Sequence, residues 1–331
     1  MSTYIGIDVG GTNLKAGLVS EDGALLATKK MPLGVWESAE VFAKTLVRLA
    51  RELLAEYGMS EDSIEAIGVG IPGLVDSAKG IINYTPNIPM REVPITALMQ
   101  REWDIPIYLG NDANCAALGE YYAGAGRGAR SLIVVTLGTG IGSGIVVGGA
   151  IHEGFNGAGG EAGHMAIVLG GELCNCGRRG CWERYASATA LVRLTKRVMD
   201  ENPQSLMWKL CGEGEKFHVS GKTAFAAARK GDAAAQAACD EYLDYLAAGV
   251  ANLVNILQPE MIAIGGGVSN EEDASLLLPL RERVAEVDMA RNGAKERTRI
   301  VKAQLGNDAG IIGAALLYRS AKMKEERDGV V

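Results

Sequence analysis

Short apolar runs and longer amphipathic segments alternate along the chain. The apolar runs are rich in Ile, Val and Leu and are typical of buried strands, whereas the segments with apolar residues at helical spacing predict helices. Such alternation is typical of the α/β class. The pattern predicts strands at 4–9, 14–19, 24–30, 64–70, 105–109, 131–137, 142–148, 261–264 and 298–303. It predicts helices at 37–57, 113–123, 183–199, 232–257, 274–286 and 308–320.

One pattern of strand, glycine turn and strand occurs twice. The first copy spans Tyr4–Val19 and turns at 10–11, and the second spans Leu132–Val147 and turns at 138–140. Glycine turns at the ends of buried strands direct several backbone N–H groups at phosphate oxygens. A single Gly-Gly pair fits a plain hairpin equally well. A third glycine run at 265–267, after another predicted strand, favours a nucleotide site.

The duplication predicts two domains with a cleft between them. We expect a small N-terminal domain over 1–115, completed by a C-terminal helix at about 308–331, and a large domain over 116–307. The charged tail at 322–331 is expected to fray. At 331 residues the chain is long enough for two cores, and its net charge of −7 argues against nucleic acid or an anionic membrane as partner. The sequence opens on a strand pattern rather than a signal peptide, so we expect a cytoplasmic protein.

Polar residues beside the first glycine turn suit a nucleotide with its metal ion. Asp8, at the end of its strand, is expected to hold Mg²⁺ through water, while Thr12 adds a hydroxyl and Lys15 offsets phosphate charge. Other nucleotide motifs are absent. Ser143 stands where G-x-G-x-x-G requires glycine, and Lys216 stands where a P-loop requires one. The signatures of protein kinases are absent as well.

Four candidate metal ligands fall in one short stretch. In turn, nine, one and four residues separate its members, His164, Cys174, Cys176 and Cys181. Three thiolates and one imidazole form a closed tetrahedral set of the kind that holds structural zinc. The alternative is a group of buried thiols beside a chance histidine, but half of the six cysteines and one of only three histidines lie here. The spacing is not that of a nucleic-acid-binding finger.

Carboxylates and an amide near these motifs suit a polyhydroxy ligand. Glu161 and Glu183 flank the metal ligands, and a zinc clip would fix both in place. Asp112 follows the strand at 105–109, where α/β proteins commonly carry catalytic groups; alternatively it caps the helix that follows. Asn111 adds a donor and an acceptor. Beside a bound nucleotide, Asp112 is expected to orient a sugar hydroxyl and accept its proton during phosphoryl transfer.

Taken in order, these motifs resemble those of the ROK family of bacterial sugar kinases and repressors. The resemblance covers nearly the whole chain and rests on Asp8-x-Gly10-Gly11-Thr12-x-x-Lys15, Gly70-x-Pro72-Gly73, Asn111-Asp112-Ala113-Asn114, Leu137-Gly138-Thr139-Gly140-x-Gly142, Gly160-Glu161-x-Gly163-His164, Cys174-x-Cys176-Gly-x-x-Gly-Cys181-x-Glu183 and Pro259-Glu260-x-Ile262-x-x-Gly265-Gly266. It implies an actin-like, ribonuclease H-like duplicated fold, with ATP, Mg²⁺ and structural Zn²⁺, and Asp112 as the catalytic base. It implies nucleotide binding by Asp8, Gly10, Gly11, Thr12, Lys15, Gly138, Thr139, Gly140, Gly265 and Gly266. For the sugar it implies Gly73, Asn87, Asn111, Asp112, Glu161, His164 and Glu183.

Within this family, the run at 184–190 is similar to that of bacterial glucokinases. The expected reaction is therefore ATP-dependent phosphorylation of glucose at the 6-hydroxyl, giving glucose 6-phosphate and ADP. Kinases for N-acetylmannosamine, N-acetylglucosamine, fructose or allose share most of the motifs and remain alternatives. A non-catalytic sugar-sensing regulator is a second alternative, but ROK repressors carry a DNA-binding segment ahead of the first glycine turn, and here Asp8 lies near the start. The resemblance also implies a homodimer or homotetramer.

Overall fold

A computed structural model describes residues 2–85, 88, 90–212 and 217–329. The chain divides into two units by its internal contacts. The first consists of Met1–Val134, Gly144–Gly160 and Ala303–Val331, and the second of Val135–Ser143 and Glu161–Lys302. The domain boundaries expected from the sequence stay a prediction.

Strands and helices alternate through the described residues, as the apolar pattern predicts. The strands are β1 (Thr3–Val9), β2 (Asn13–Ser20), β3 (Leu25–Pro32), β4 (Ile64–Ile71), β5 (Leu74–Asp76), β6 (Ile81–Tyr84), β7 (Arg91–Val93), β8 (Ile107–Asn111), β9 (Ser131–Leu137), β10 (Ile141–Val147), β11 (Ala150–Ile151), β12 (Met261–Gly265) and β13 (Arg299–Lys302). The helices are α1 (Ala39–Tyr57), α2 (Ile95–Gln100), α3 (Asp112–Tyr122), α4 (Glu183–Ala186), α5 (Ala188–Glu201), α6 (Met207–Leu210), α7 (Thr223–Ala228), α8 (Ala233–Leu257), α9 (Leu277–Val287), α10 (Ala309–Ala315) and α11 (Leu317–Asp328).

The first unit contains a five-stranded sheet in the order β3-β2-β1-β4-β8. Strands β1, β2 and β3 are antiparallel neighbours, whereas β4 runs parallel to both β1 and β8. Because parallel strands end at the same edge, the residues that close β1, β4 and β8 share that edge. The register sets Asp8 opposite Gly70, and Ile71 opposite Asn111. Strand β4 is almost continuously apolar and buried, as expected of a central parallel strand.

A second five-stranded sheet has the order β11-β10-β9-β12-β13. Strands β12 and β13 are parallel, and β10 and β11 are antiparallel. The strands predicted at 131–137 and 142–148 are β9 and β10, and the short β11 that follows them was not predicted. In the described parts of the chain, no helix combines the length and the apolar character that crossing a membrane requires.

Several short elements depart from the predicted pattern. A three-stranded antiparallel sheet, β5-β6-β7, was not predicted, and neither were α2, α6 and α7. The helix predicted at 183–199 is interrupted because Ser187 adopts an extended conformation and accepts a hydrogen bond from Ala190 N–H, which starts α5. The helix predicted at 308–320 is interrupted at Leu316. The tail does not fray from residue 322, because α11 continues to Asp328.

Glu120 on α3 is a buried carboxylate that the sequence analysis did not identify. It is 1% exposed and accepts backbone N–H groups of Ala125 at 2.8 Å, Gln304 at 2.8 Å and Leu305 at 2.7 Å. Hydrogen bonds of amides to a charged acceptor are stronger than neutral ones. These hydrogen bonds therefore connect α3, which begins at Asp112, to the segment that precedes α10.

We expect Glu120→Gln to lower the free energy of unfolding by about 2 kcal/mol, because an amide NH₂ then faces backbone donors and loses charge-assisted bonds. Urea unfolding measures the change. The matched control is Glu65→Gln, since Glu65 is exposed on β4, and its effect should stay within about 0.5 kcal/mol. Equal midpoints for the two variants would contradict the structural role of Glu120.

Candidate active site and metal centre

Two carboxylates lie at the sheet edge of the first unit. Asp8 is near the end of β1, and Asp112 begins α3 directly after β8. Burial and the negative charge of Asp112 raise the pKa of Asp8 to about 6, while Lys15 acts in the opposite direction. Burial also raises the pKa of Asp112, against the effect of the backbone N–H groups that it accepts. Two partly desolvated carboxylates that repel each other in this way favour a cation beside them.

The adjacent residue, not Asp112, caps α3. The Asn111 side-chain oxygen accepts the backbone N–H groups of Ala113 at 2.9 Å and Asn114 at 3.2 Å. Asn111 has the extended backbone of a cap residue, whereas Asp112 is already helical and accepts Ala113 N–H at 2.9 Å. The alternative that Asp112 serves as the helix cap is therefore wrong, and its carboxylate keeps acceptor capacity for a ligand.

Asn111 also connects β8 to the loop that follows β4. Its amide donates to the carbonyl oxygen of Gly73 at 3.0 Å. Gly73 has φ of 111°, a backbone conformation that favours glycine. The structure thus brings Gly73, Asn111 and Asp112 together at one edge of the sheet. Asn87, the remaining predicted sugar ligand of this region, lies outside the described residues.

The pKa of Asp8 makes stability depend on pH. Between its ordinary value of 3.8 and about 6, the folded protein binds a proton that the unfolded chain has released, so stability falls as pH rises through this window. We expect Asp8→Asn to raise the free energy of unfolding near neutral pH, by up to ~3 kcal/mol for a shift of about two pKa units. The gain should shrink towards about pH 4.

Urea unfolding of both proteins across this pH range, without Mg²⁺, measures the effect. Asp104→Asn is the matched control, because Asp104 is exposed in the same unit. A gain that is constant with pH would show that Asp8 is not the titrating group.

The first glycine turn is open to a ligand. Gly11 and Thr12 are exposed between β1 and β2, and Gly10 N–H donates to Asn13 O at 2.9 Å to close the turn. Lys15 lies on β2 opposite Asp8. The turn therefore presents backbone groups, a hydroxyl and an ammonium beside the first acid, as a phosphate site requires.

The other two glycine turns meet within the second unit. Gly138 N–H donates to Gly140 O at 3.0 Å in the turn between β9 and β10, where Thr139 is exposed. Gly266 follows Gly265 at the end of β12, and a side chain on it would lie 2.5 Å from the backbone N and O of Leu137. The ends of β9 and β12 are therefore adjacent.

The four predicted metal ligands converge. Their ligand atoms, contributed by His164, Cys174, Cys176 and Cys181, all lie within 4.8 Å of one another. Nδ1 of His164 is 3.7 Å from Sγ of Cys174, and Sγ of Cys176 is 3.6 Å from Sγ of Cys181. Three thiols and one imidazole in this arrangement fit a structural Zn²⁺ with four protein ligands. We refer to these four residues as the metal cluster.

Tight local turns and one large anchor shape the metal cluster. Gly177 N–H donates to Cys174 O at 2.9 Å, and Cys181 forms a β-bridge with Ala166. Trp182, which is fully buried, donates its indole N–H to Tyr245 O on α8 at 2.9 Å. The metal-binding stretch is thereby fixed to the longest helix of the second unit.

Both flanking acids lie beside the metal cluster in the chain, but their environments differ. Glu161 is exposed and precedes a short 3₁₀ turn that ends at His164. Glu183 begins α4, and its Oε1 lies 2.9 Å from Sγ of Cys174 and 3.8 Å from Nδ1 of His164. The sequence placed Glu183 beside the metal ligands. Its Oε2 also lies against Gly140, where a side-chain carbon would be 2.4 Å away. This contact carried no sequence signal, because the two residues are far apart in the chain.

A cavity of about 460 Å³ in the first unit contains none of the predicted site residues. Its walls include Ser77, Glu153 and Lys324. Glu153 accepts the Ser77 hydroxyl at 2.7 Å and pairs with Lys324, so its charge is satisfied within the protein. The size of this cavity therefore does not identify the candidate active site. The two carboxylates at the sheet edge and the glycine turns are the features that do.

Comparison with known proteins agrees with this geometry. Residues 4–321 match the ROK family. The glucokinase of Thermotoga maritima is 39% identical over 316 residues, which are 95% of this chain and 96% of that protein. The glucokinase of Halalkalibacterium halodurans is 36% identical over 326 residues, which are 98% of this chain and 97% of that protein.

Similarity extends to three dimensions. The ROK family glucokinase from Streptomyces griseus, solved in complex with glucose and AMPPNP, has a TM-score of 0.75 and 36% identity, with coverage of 96% of this chain and 99% of that chain. The actin-like α/β fold class predicted from the sequence is confirmed by this match. The chain belongs to the ROK family.

Proposed function

We propose that this protein is an ATP-dependent glucokinase that transfers the γ-phosphoryl group of ATP to the 6-hydroxyl of glucose. The observation that carries the proposal is Asp112, a partly buried carboxylate at the strand edge whose pKa is raised by desolvation, while Asn111 caps the helix in its place. A raised pKa makes the carboxylate a stronger proton acceptor at neutral pH. Relatives and a solved structure that are glucokinases match almost the whole chain.

In this mechanism, the oxygen of the glucose 6-hydroxyl forms a bond to the γ-phosphorus, and the bond from that phosphorus to ADP breaks. Asp112 accepts the proton of the 6-hydroxyl as this happens. Orientation of the hydroxyl in line with the phosphate supplies much of the rate enhancement. We propose that the other hydroxyls of glucose are held by Gly73, Asn87, Asn111, Glu161, His164 and Glu183. Carboxylates and amides suit these hydroxyls because they accept and donate hydrogen bonds in fixed directions.

For the nucleotide, we propose that the glycine turns line the phosphates and that backbone N–H groups not used to close these turns donate to them. The turns consist of Gly10, Gly11, Thr12, Gly138, Thr139, Gly140, Gly265 and Gly266, of which Gly10 and Gly138 use their own N–H groups within the turn. Lys15 balances phosphate charge, and Asp8 holds Mg²⁺ through water; the ion, when bound, neutralises charge that develops on the phosphate oxygens.

The metal cluster has a positioning role in this proposal. Its four ligands leave no open position for a reacting group, so a bound Zn²⁺ supplies order rather than chemistry. Nδ1 of His164 faces the thiols, at 3.7 Å from Cys174. Nε2 of the same ring is then available for a sugar hydroxyl.

An ADP-release assay tests the function across glucose, mannose, N-acetylglucosamine, N-acetylmannosamine, fructose and allose. We expect the highest kcat/KM with glucose. A preference for an N-acetylated sugar would replace glucokinase with a hexosamine kinase. Turnover with none of these sugars, combined with sugar binding, would indicate the regulator instead.

We further propose that the protein acts in the cytoplasm as a homodimer or homotetramer. The family resemblance supports the assembly, and the metal cluster supports the compartment because its thiols require reducing conditions. Light scattering coupled to gel filtration gives the mass in solution. A monomeric mass at working concentrations would contradict the assembly.

A further inference from the structure

Gly140, in the turn between β9 and β10, lies directly against the carboxylate of Glu183. A side-chain carbon on Gly140 would lie 2.4 Å from Oε2 of Glu183 and 3.6 Å from its Cδ. The first distance is below the 3.0 Å that non-bonded contacts of side-chain carbons essentially never cross, so the turn or the carboxylate would have to shift. Gly138, in the same turn, differs: a side-chain carbon there would have its nearest neighbour, Gly140 O, at 3.9 Å.

The carboxylate of Glu183 has little room to move away from the turn. Its Oε1 lies 2.9 Å from Sγ of Cys174 and 3.8 Å from Nδ1 of His164, and the side chain is 19% exposed. Glu183 also begins α4 directly after the anchored Trp182. The turn limits the carboxylate on one side, and the metal cluster limits it on the other.

We propose that Gly140 is a positioning residue for the sugar: the absence of a side chain at 140 sets the place of the Glu183 carboxylate and thereby the affinity for glucose. This inference rests on the proposed function, in which Glu183 binds a glucose hydroxyl. Gly140 then has a role separate from nucleotide binding. It links the turn that receives phosphate to a carboxylate that receives the sugar.

Gly138 supplies a matched comparison. Neither Gly138 nor Gly140 adopts the left-handed backbone that favours glycine. Alanine therefore meets no left-handed backbone strain at either position. A difference between the two alanine variants reports the added methyl group and not a strained turn.

The experiment compares zinc-loaded wild type, Gly140→Ala and Gly138→Ala. Calorimetric titration with glucose in the absence of nucleotide isolates sugar affinity. We expect Gly140→Ala to raise the glucose Kd by at least ~10-fold, the effect of disturbing one hydrogen bond to a charged group. We expect Gly138→Ala to stay within about twofold of wild type, as a substitution without close neighbours should. Zinc content and Tm should be unchanged in both.

A double-mutant cycle separates positioning through Glu183 from a general effect. In a Glu183→Ala background, adding Gly140→Ala should change the glucose Kd, again measured without nucleotide, by less than about twofold, because the group it displaces is gone. An undiminished effect in that background would overturn the proposal. Loss of zinc or a lowered Tm in Gly140→Ala would do so too, since it would assign Gly140 a structural role.

The outcomes distinguish this inference from the proposed function. Wild-type protein that phosphorylates glucose, with equal glucose affinities in the two alanine variants, would overturn the role of Gly140 alone. Wild-type protein that neither binds nor phosphorylates glucose would overturn the proposed function and, with it, this inference.

Discussion

Replacing Asp112 with asparagine is expected to lower kcat for glucose by at least ~100-fold, the usual contribution of a general base. The asparagine oxygen can still accept the Ala113 N–H, which Asp112 accepts at 2.9 Å, and Asn111 still caps α3. The fold of the site is therefore preserved. Because an amide takes up no proton at neutral pH, the loss should fall on the chemical step and leave the glucose Kd nearly unchanged. Coupled turnover and calorimetry measure the two quantities.

The pH profile of kcat tests the same role. Burial raises the pKa of Asp112 above its ordinary value, and only the ionised form accepts a proton. Turnover by the wild type should therefore fall as pH decreases through this raised pKa, and Asp112→Asn should lack that dependence. Asp62→Asn is the control, because Asp62 is exposed in the same unit. Near wild-type kcat in Asp112→Asn would remove Asp112 from its role.

Removing the metal is expected to abolish glucose binding, because metal binding and local folding are coupled. Without the ion, the stretch that carries His164 and Glu183 loses four bonds that hold it in place. Chelation followed by calorimetry should show no heat of glucose binding, and added Zn²⁺ should restore it. Cys176→Ser, which removes one ligand, should reproduce the loss.

The matched control for this experiment is Cys239→Ala. Cys239 is buried on α8, outside the metal cluster. That variant should keep its zinc and its glucose affinity. Metal-free protein that phosphorylates glucose at the full rate would show that the metal cluster has no part in ordering the sugar site.

Local patterns in the chain were sufficient for the main elements and for the metal ligands. Helix α8 was predicted over 232–257 and spans Ala233–Leu257. The two glycine turns were predicted from the strand runs around them, and the metal cluster from ligand types at short spacing. These features depend on residues near one another in sequence. The fold class followed because alternating strands and helices have few ways to pack.

Where two adjacent residues suit the same structural role, the sequence did not show which of them takes it. Asn111 and Asp112 are both good helix caps, and only the register at the end of β8 decides that Asn111 takes this role. The strands β5, β6 and β7 have three or four residues each, too few to show a period. Ser187 looks ordinary within an amphipathic run, and its extended backbone appears only in the packed structure.

By itself, then, the sequence determined which groups are present: the acids, the glycine turns, the metal ligands and the class of fold. Only the tertiary structure decided which of these groups interact, and thereby their pKa values and hydrogen-bond partners. The pKa of Asp8 rises because the folded chain buries this carboxyl at the sheet edge and places the charge of Asp112 near it. Glu120 is satisfied by amides of Gln304 and Leu305. Such effects act through space over a few ångströms, between residues whose separation along the chain carries no periodic signal.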